Sequence, residues 1–165
     1  MGLPRDDAVT RTAVRVLKRF GVGEPPVDVD RICAGAGVQV FSRPFDYVAG
    51  VLLKDDVWPV IVVNAREGKE RRRFTIAHEL GHLFLGHARA VFAEPGGAGK
   101  LEREAQWFAA QLLMPAAWVR RYWDAYAANA ENRETILAAA FNVSLAALRR
   151  RAKELGLDAR RPKGR

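Results

Sequence analysis

The segment Arg71–His82 constrains this chain more than any other, because it contains the pattern His-Glu-x-x-His. His78 and His82 are four residues apart, so on an α-helix they share one face and can direct their ring nitrogens at one point. That spacing suits a tetrahedral Zn²⁺ ion about 2.0–2.1 Å from each nitrogen. Glu79 lies about 100° round the helix, where it can act as general base on a metal-bound water without being a ligand. We therefore predict one zinc ion per chain.

The flanking residues favour a helix here. Four apolar residues between Ile76 and Phe84 form a stripe on a different side from the histidines. Gly81 costs such a helix roughly 1 kcal/mol relative to alanine, and we expect it to let another backbone or a substrate approach. Gly86 is a stop signal. We assign the third histidine, His87, to a structural or supporting role, because it lies about 100° from the row of the other two.

Two histidines and a water leave the zinc one ligand short, and a carboxylate from a second helix is the usual addition. The single cysteine, Cys33, lies in a different region. The segment Leu101–Pro115 follows a glycine- and proline-rich loop and carries Glu102 and Glu104 on opposite flanks of its apolar stripe. Periodicity prefers Glu102 only slightly. At least one of the two is then a solvated first-turn glutamate that favours the helix dipole.

Two motifs together, Arg72–His82 (Arg-Arg-Phe-Thr-Ile-Ala-His-Glu-Leu-Gly-His) and Glu102–Pro115, resemble the ImmA/IrrE-type zinc metallopeptidases. The strand Pro59–Asn64 and weaker similarities nearer the N-terminus extend the resemblance over most of the chain. The resemblance implies a zincin-like fold and peptide hydrolysis.

The resemblance also implies a third ligand. The family's glutamate stands four residues before an asparagine in the second helix, which corresponds to Glu102. Gln106 occupies the asparagine position in this chain. Glu104 is the fallback ligand.

The composition indicates the compartment in which such a protein works. The 165 residues are 49% hydrophobic, enough for a sizeable core. A single cysteine excludes a disulfide framework and fits a reducing cytoplasm. Residues 1–10 hold no apolar signal-peptide core, and no run approaches the roughly eighteen apolar residues of a membrane span. We expect a cytoplasmic protein without a membrane partner, which favours a regulatory peptidase with few targets over a digestive one.

We predict an α+β fold: a zincin-like helical domain with a small three-stranded sheet, then a C-terminal subdomain like a helix-turn-helix. The predicted domains are residues 1–115, 116–156 and a basic, disordered tail over 157–165. The first five elements are helices Asp6–Phe20 and Val27–Ala36, then strands Val38–Ser42, Val48–Leu53 and Pro59–Val63. The apolar run Val60–Val63 indicates burial on both faces. Two interpretations stay open for it, an ordinary sheet strand or a strand that binds an extended peptide by β-augmentation.

The C-terminal region resembles a helix-turn-helix, whose second helix can enter the major groove of DNA. Thr135–Phe141 predicts a helix, Asn142–Ser144 a turn and Leu145–Leu155 a second helix, with Ser144 as N-cap. The second helix carries four basic residues: Arg149, Arg150, Arg151 and Lys153.

The formal net charge is +8, and basic residues gather at Lys69–Arg73, Arg149–Lys153 and Arg160–Arg165. Such charge can serve solubility, weak phosphate contact or attraction to an acidic protein surface. The second helix lacks asparagine and glutamine base readers, so we expect no sequence-specific nucleic-acid binding. Non-specific binding and a purely structural role for this pair of helices stay open. Of the binding modes, we favour an acidic protein partner.

The leading hypothesis is an intracellular zinc-dependent endopeptidase in which His78, His82 and Glu102 hold zinc and Glu79 carries the proton. By resemblance, its substrate is a helix-turn-helix transcriptional repressor or an antitoxin, cleaved in a regulatory or stress response. The alternative is a non-catalytic sensor, or a DNA- or partner-binding regulator, with structural zinc; the intact Glu79 argues against it. Four side chains are unranked candidates for stabilising the oxyanion: Tyr47, Asn64, His87 and Tyr122.

Overall fold

The computed structural model describes residues 7–53, 58–87, 99–127 and 131–157. Within these ranges the chain forms seven α-helices and one three-stranded sheet, which confirms the predicted α+β class. The elements in chain order are α1 (Asp7–Arg19), α2 (Val29–Gly35), β1 (Gln39–Arg43), β2 (Gly50–Leu53), β3 (Val60–Asn64), α3 (Lys69–Phe84), α4 (Lys100–Leu113), α5 (Ala116–Ala125), α6 (Arg133–Phe141) and α7 (Leu145–Glu154).

Predicted and observed boundaries differ by one or two residues at most ends, and the start of β2 shows a physical reason. Val48 was expected in this strand, but its carbonyl accepts a hydrogen bond from Asn64 Nδ2 at 2.9 Å. The same amide donates to the carbonyl of Phe45 at 2.9 Å and accepts from its backbone N–H at 3.1 Å. The buried Asn64 side chain therefore holds the preceding loop away from the strand ladder.

The sheet has the order β1-β3-β2, with β1 parallel and β2 antiparallel to β3. One face is buried against the helices through Leu52, Ile61 and Val63. On the other face Val60 and Val62 are only half-buried, so the prediction that this strand is buried on both faces is wrong. Since β3 is paired on both sides, it has no free edge for β-augmentation, and the ordinary-strand interpretation is correct.

Helices α3 and α4 pack closely because Gly81 lacks a side chain. A Cβ atom at Gly81 would lie 3.1 Å from both the Cα and the carbonyl oxygen of Ala105, and 3.1 Å from Phe108 Cδ1. Ala105 and Phe108 are fully buried. The expectation that Gly81 admits a second backbone is therefore confirmed, and that backbone is α4.

The C-terminal pair of helices is joined by the predicted turn. Asn142 adopts a left-handed conformation (φ 52°) after α6, and the Ser144 hydroxyl caps α7 by accepting from the Ala147 N–H at 3.2 Å. Leu157 is buried and its N–H donates to the Ala152 carbonyl at 2.9 Å, so the packed region includes the first residue of the predicted tail. Residues 158–165, the rest of that predicted tail, lie outside the described residues.

The basic residues of α7 lie in different environments. Arg151 is 1% exposed and binds α4, donating from Nε to the Met114 carbonyl at 3.0 Å and from Nη2 to Gln111 Oε1 at 2.7 Å. The prediction that Arg151 contributes to a phosphate- or partner-binding surface is therefore wrong. Arg149 pairs with Glu134 at 2.7 Å and stays 61% exposed.

The helices that the structure describes include none long and apolar enough to cross a membrane.

Candidate metal centre

Helix α3 presents His78 and His82 side by side, as their spacing predicts. Their Nε2 atoms are 3.1 Å apart, and the rings meet edge to face with centroids 4.8 Å apart. The two side chains are 16% and 13% exposed, so the site opens towards solvent.

Glu102, in the first turn of α4, brings its carboxylate to the same point. Its Oε2 lies 3.1 Å from His78 Nε2, and its Oε1 lies 3.2 Å from His82 Nε2. The contact between the two helices at Gly81 holds this part of α4 opposite the histidines. The Glu102 side chain is 27% exposed.

These three side chains make a donor set that fits zinc. One ligand atom from each of His78, His82 and Glu102 lies within 4.8 Å of the other two, which no other His, Cys, Asp or Glu trio does among the described residues. Two neutral ring nitrogens facing each other at 3.1 Å repel unless a proton or a cation lies between them. Tetrahedral zinc with ligands at about 2.0–2.1 Å separates them by about 3.3 Å, close to the spacing here.

Electrostatics favours the metal-binding form of His78. Burial lowers the pKa of its imidazole, and the neighbouring Glu102 carboxylate acts in the opposite direction. The neutral ring that burial favours carries the lone pair that a metal requires.

Glu79 lies beside the cluster on the same helix and is 9% exposed. Burial, and next the charge of Glu102, raise the pKa of its carboxyl to about 7. A hydrogen bond from the backbone amide of Leu52 works in the opposite direction. A carboxyl with a pKa near neutrality can both accept and return a proton at physiological pH.

Glu104, the fallback ligand, pairs with His87 and Lys100 rather than with the cluster. Glu104 Oε2 lies 3.1 Å from His87 Nε2, and its Oε1 lies 3.5 Å from the Lys100 ammonium. His87 is 6% exposed and contacts His82 through Nδ1 at 3.0 Å. Glu102, and not Glu104, therefore faces both His78 and His82.

The four oxyanion candidates occupy different environments. Both ends of the Asn64 amide are engaged with backbone groups around Phe45 and Val48, so that side chain has a structural role. Tyr122 packs edge to face on Phe141 of α6, with ring centroids 5.5 Å apart. Tyr47 is 99% exposed. Among the contacts described for these four side chains, only that of His87 reaches a residue of the cluster, His82.

Sequence reasoning missed the part that β2 plays in the site. Leu52 in this strand supplies the amide that reaches Glu79. The strand can lie against α3 because Gly50 has no Cβ, which would overlap the Thr75 side chain. The glycine just before the apolar triplet Val51–Leu53 was the available signal for such a close approach.

Comparison with known proteins identifies the family. Residues 33–153, most of the chain and all of α3 and α4, match the IrrE N-terminal-like domain of peptidase family M78. The chain belongs to this ImmA/IrrE family. The resemblance drawn from the two motifs is thereby confirmed.

One relative and one solved structure are similar to this chain. The chain is 27% identical over 103 residues to metallopeptidase ImmA of Bacillus subtilis (strain 168), covering 60% of this chain and 59% of that protein. A solved structure of a Mycobacterium tuberculosis transcriptional regulator matches with a TM-score of 0.62 at 17% identity. That match covers 95% of this chain and 48% of the other, and it shows the fold alone. The chain thus spans about three fifths of ImmA and about half of the solved structure.

Proposed function

We propose that this protein is a zinc-dependent endopeptidase in which His78, His82 and Glu102 bind one zinc ion. The observation that carries the proposal is the meeting of two imidazole nitrogens and a carboxylate beside a buried glutamate on one helix pair. Membership of a peptidase family and the similarity to a metallopeptidase support it.

In this proposal Glu79 is the proton carrier. A zinc ion at the cluster would supply a Lewis acid that polarises a peptide carbonyl and lowers the pKa of a water towards 7. Glu79 accepts the proton of the attacking water and then passes it to the leaving amine. Its raised pKa suits both transfers, because neither protonation state is strongly favoured near neutrality.

The alternative, a sensor or regulator with structural zinc, requires a closed site. Structural zinc sites almost always use four protein ligands, whereas catalytic sites use three and keep one position open. The cluster supplies three, and the nearby His87 already has Glu104 and His82 as partners. The count of ligands therefore supports catalysis.

We propose that an extended peptide substrate binds along the free edge of β2. Among the described strands β2 pairs only with β3, and its Leu52 amide is directed at Glu79. A substrate strand at this edge would pass the proton carrier. The β-augmentation hypothesis, which does not hold for the central strand β3, thus applies to the edge strand β2 beside the site.

The finer proposal concerns the substrate and the compartment. Following the motif resemblance, we propose that the chain acts in the cytoplasm on a helix-turn-helix repressor or an antitoxin. The exposed Arg150 and Lys153 offer a small basic surface for an acidic partner. Incubation with a repressor encoded next to this chain, followed by mass spectrometry of the fragments, tests the substrate separately from the chemistry.

Zinc content and peptide cleavage, measured on the same preparations, test the chemistry. Glu79→Gln should keep one zinc per chain but lose about 10²–10⁴-fold in rate, because it removes basicity and no ligand. Glu102→Ala should lose both zinc and activity. Glu70→Gln, an exposed carboxylate on the same helix, is the matched control and should change neither. Full activity in Glu79→Gln would exclude Glu79 as the base, and stoichiometric zinc in Glu102→Ala would exclude Glu102 as a ligand.

A further inference from the structure

The end of α3 turns the chain back on itself at His82. The Gly86 N–H donates to the Leu83 carbonyl at 3.2 Å, and the His87 N–H donates to the His82 carbonyl at 3.0 Å. This pair of bonds is a Schellman motif, which needs a residue in the left-handed region. Gly86 supplies it with φ of +70°. The backbone of His87 is therefore fixed against the last turn of the helix, next to His82.

The side chain of His87 continues this contact. Its Nδ1 lies 3.0 Å from Nδ1 of His82, with the two rings edge to face and centroids 5.0 Å apart. Its Nε2 lies 3.1 Å from Oε2 of Glu104 on α4. His87 is 6% exposed, so these bonds form largely out of water, where polar contacts are stronger.

With a metal ion on His82 Nε2, the three side chains would have one consistent arrangement of protons in which both rings are neutral. His82 directs Nε2 at His78 and Glu102, so a metal ion held at the cluster would take the lone pair on Nε2 and leave the proton on Nδ1. That Nδ1–H must find an acceptor, and Nδ1 of His87 is the acceptor at hand. His87 then carries its own proton on Nε2, which it donates to the Glu104 carboxylate. Every donor in the row has an acceptor with both rings neutral.

We propose that His87 and Glu104 are positioning residues that hold His82 in its metal-binding tautomer and orientation. The inference rests on the proposed zinc site and adds to it a function for two residues that are not ligands. Outer hydrogen-bond partners of ligating histidines typically contribute 10–100-fold to metal affinity. Here the partner is a second histidine, itself oriented by a carboxylate from the helix that also carries Glu102.

Zinc affinity, measured by competition with a chromophoric chelator, tests the relay without any substrate. His87→Leu removes the acceptor and should weaken zinc binding about 10–100-fold. His87→Asn places an amide oxygen where Nδ1 lies and should recover much of that loss. Glu104→Gln should weaken zinc binding less than His87→Leu does. The double variant should bind zinc as weakly as His87→Leu alone, because both residues act through the same hydrogen bond to His82. Lys100→Gln removes the exposed cation beside Glu104 and serves as the matched control, with an unchanged affinity.

A merely structural role would lower the melting temperature of the metal-free protein and leave zinc affinity and the visible spectrum of the Co²⁺-substituted protein unchanged. That result in His87→Leu would overturn the relay. Absence of stoichiometric zinc in the wild type would overturn the proposed function instead. If His87→Leu does not fold, Gly86→Ala and Gly86→Asn provide a second comparison. Alanine is strained at φ of +70° and should weaken zinc binding, whereas asparagine tolerates that conformation and should weaken it less. Equal affinities in these two variants would also overturn the relay.

Discussion

Replacing Arg151 with methionine should destabilise the whole fold, although this residue stands in a run of basic residues typical of an exposed surface. Arg151 is 1% exposed and makes three hydrogen bonds, to Met114, Gln111 and Glu154. Its guanidinium carbon also lies 5.2 Å from the centre of the Trp107 ring. Burial lowers the pKa of the guanidinium, and the nearby Glu154 carboxylate acts in the opposite direction.

The size of this destabilisation follows from the acceptors that lose their hydrogen-bond donor. Methionine fills much of the volume, but the Met114 carbonyl and the Gln111 amide oxygen lose their donor, at about 1–3 kcal/mol each. Removing one partner of a buried charged network typically costs about 3–5 kcal/mol. Glu154 is 19% exposed and can recover water, so we expect the lower end, about 3 kcal/mol. In a domain of this size that corresponds to a fall of roughly 6–12 °C in melting temperature.

Urea unfolding followed by circular dichroism measures this free energy. Arg150→Met, one residue away and exposed, is the control and should stay within about 0.5 kcal/mol of wild type. Adding Gln111→Leu to Arg151→Met should restore part of the lost stability, because it removes one of the two polar groups left without a donor. A free energy of unfolding for Arg151→Met within 0.5 kcal/mol of wild type would refute the assignment of Arg151 as a structural residue.

Two further predictions concern the interior. Gly81→Ala should cost about 1–3 kcal/mol and weaken zinc binding, because its Cβ would press on the backbone of Ala105 at 3.1 Å; Gly23→Ala, in open space, is the control. An unaltered melting temperature in Gly81→Ala would contradict the close contact of the helices. Burial raises the pKa of the Cys33 thiol to about 12, so Ellman's reagent at pH 8 should detect no thiol in the native protein and one per chain in denaturant. Rapid reaction of the native protein would show that the thiol is accessible.

The helices and strands were predictable because each has a strong local period, but their arrangement was not. An apolar run such as Val60–Val63 looks the same in a central strand and in an edge strand. The order β1-β3-β2 depends on which strands pair with each other, and the residues of β3 alone do not determine its neighbours. The hypothesis that β3 receives a peptide failed for this reason.

The part of the site that lies on a single helix was predictable from the sequence. The spacing of His78 and His82 fixes their shared face, whereas the choice between Glu102 and Glu104 depends on where α4 crosses α3. Periodicity cannot give that crossing, which is set at Gly81 and Ala105. His87 lies past the end of α3, where the left-handed conformation of Gly86 ends the rotation of 100° per residue, so helical spacing does not place its side chain.

Arg151 shows the same limit, and it connects α7 to the helix that carries part of the candidate metal centre. A charge run predicts exposure, yet the four basic residues of α7 have different environments: Arg149 pairs with Glu134, Arg151 is buried, and Arg150 and Lys153 face solvent. Three exposed cations, one of them paired with Glu134, support few phosphate contacts. Each phosphate contact contributes only about 0.9 to the slope of binding affinity against salt concentration. The buried one binds Met114, at the end of α4 opposite to Glu102. Helix α4 is thus held near its first turn by Gly81 of α3 and at its last residues by Arg151. Helix α7 therefore contributes to the candidate metal centre by fixing the helix that carries Glu102 and Glu104.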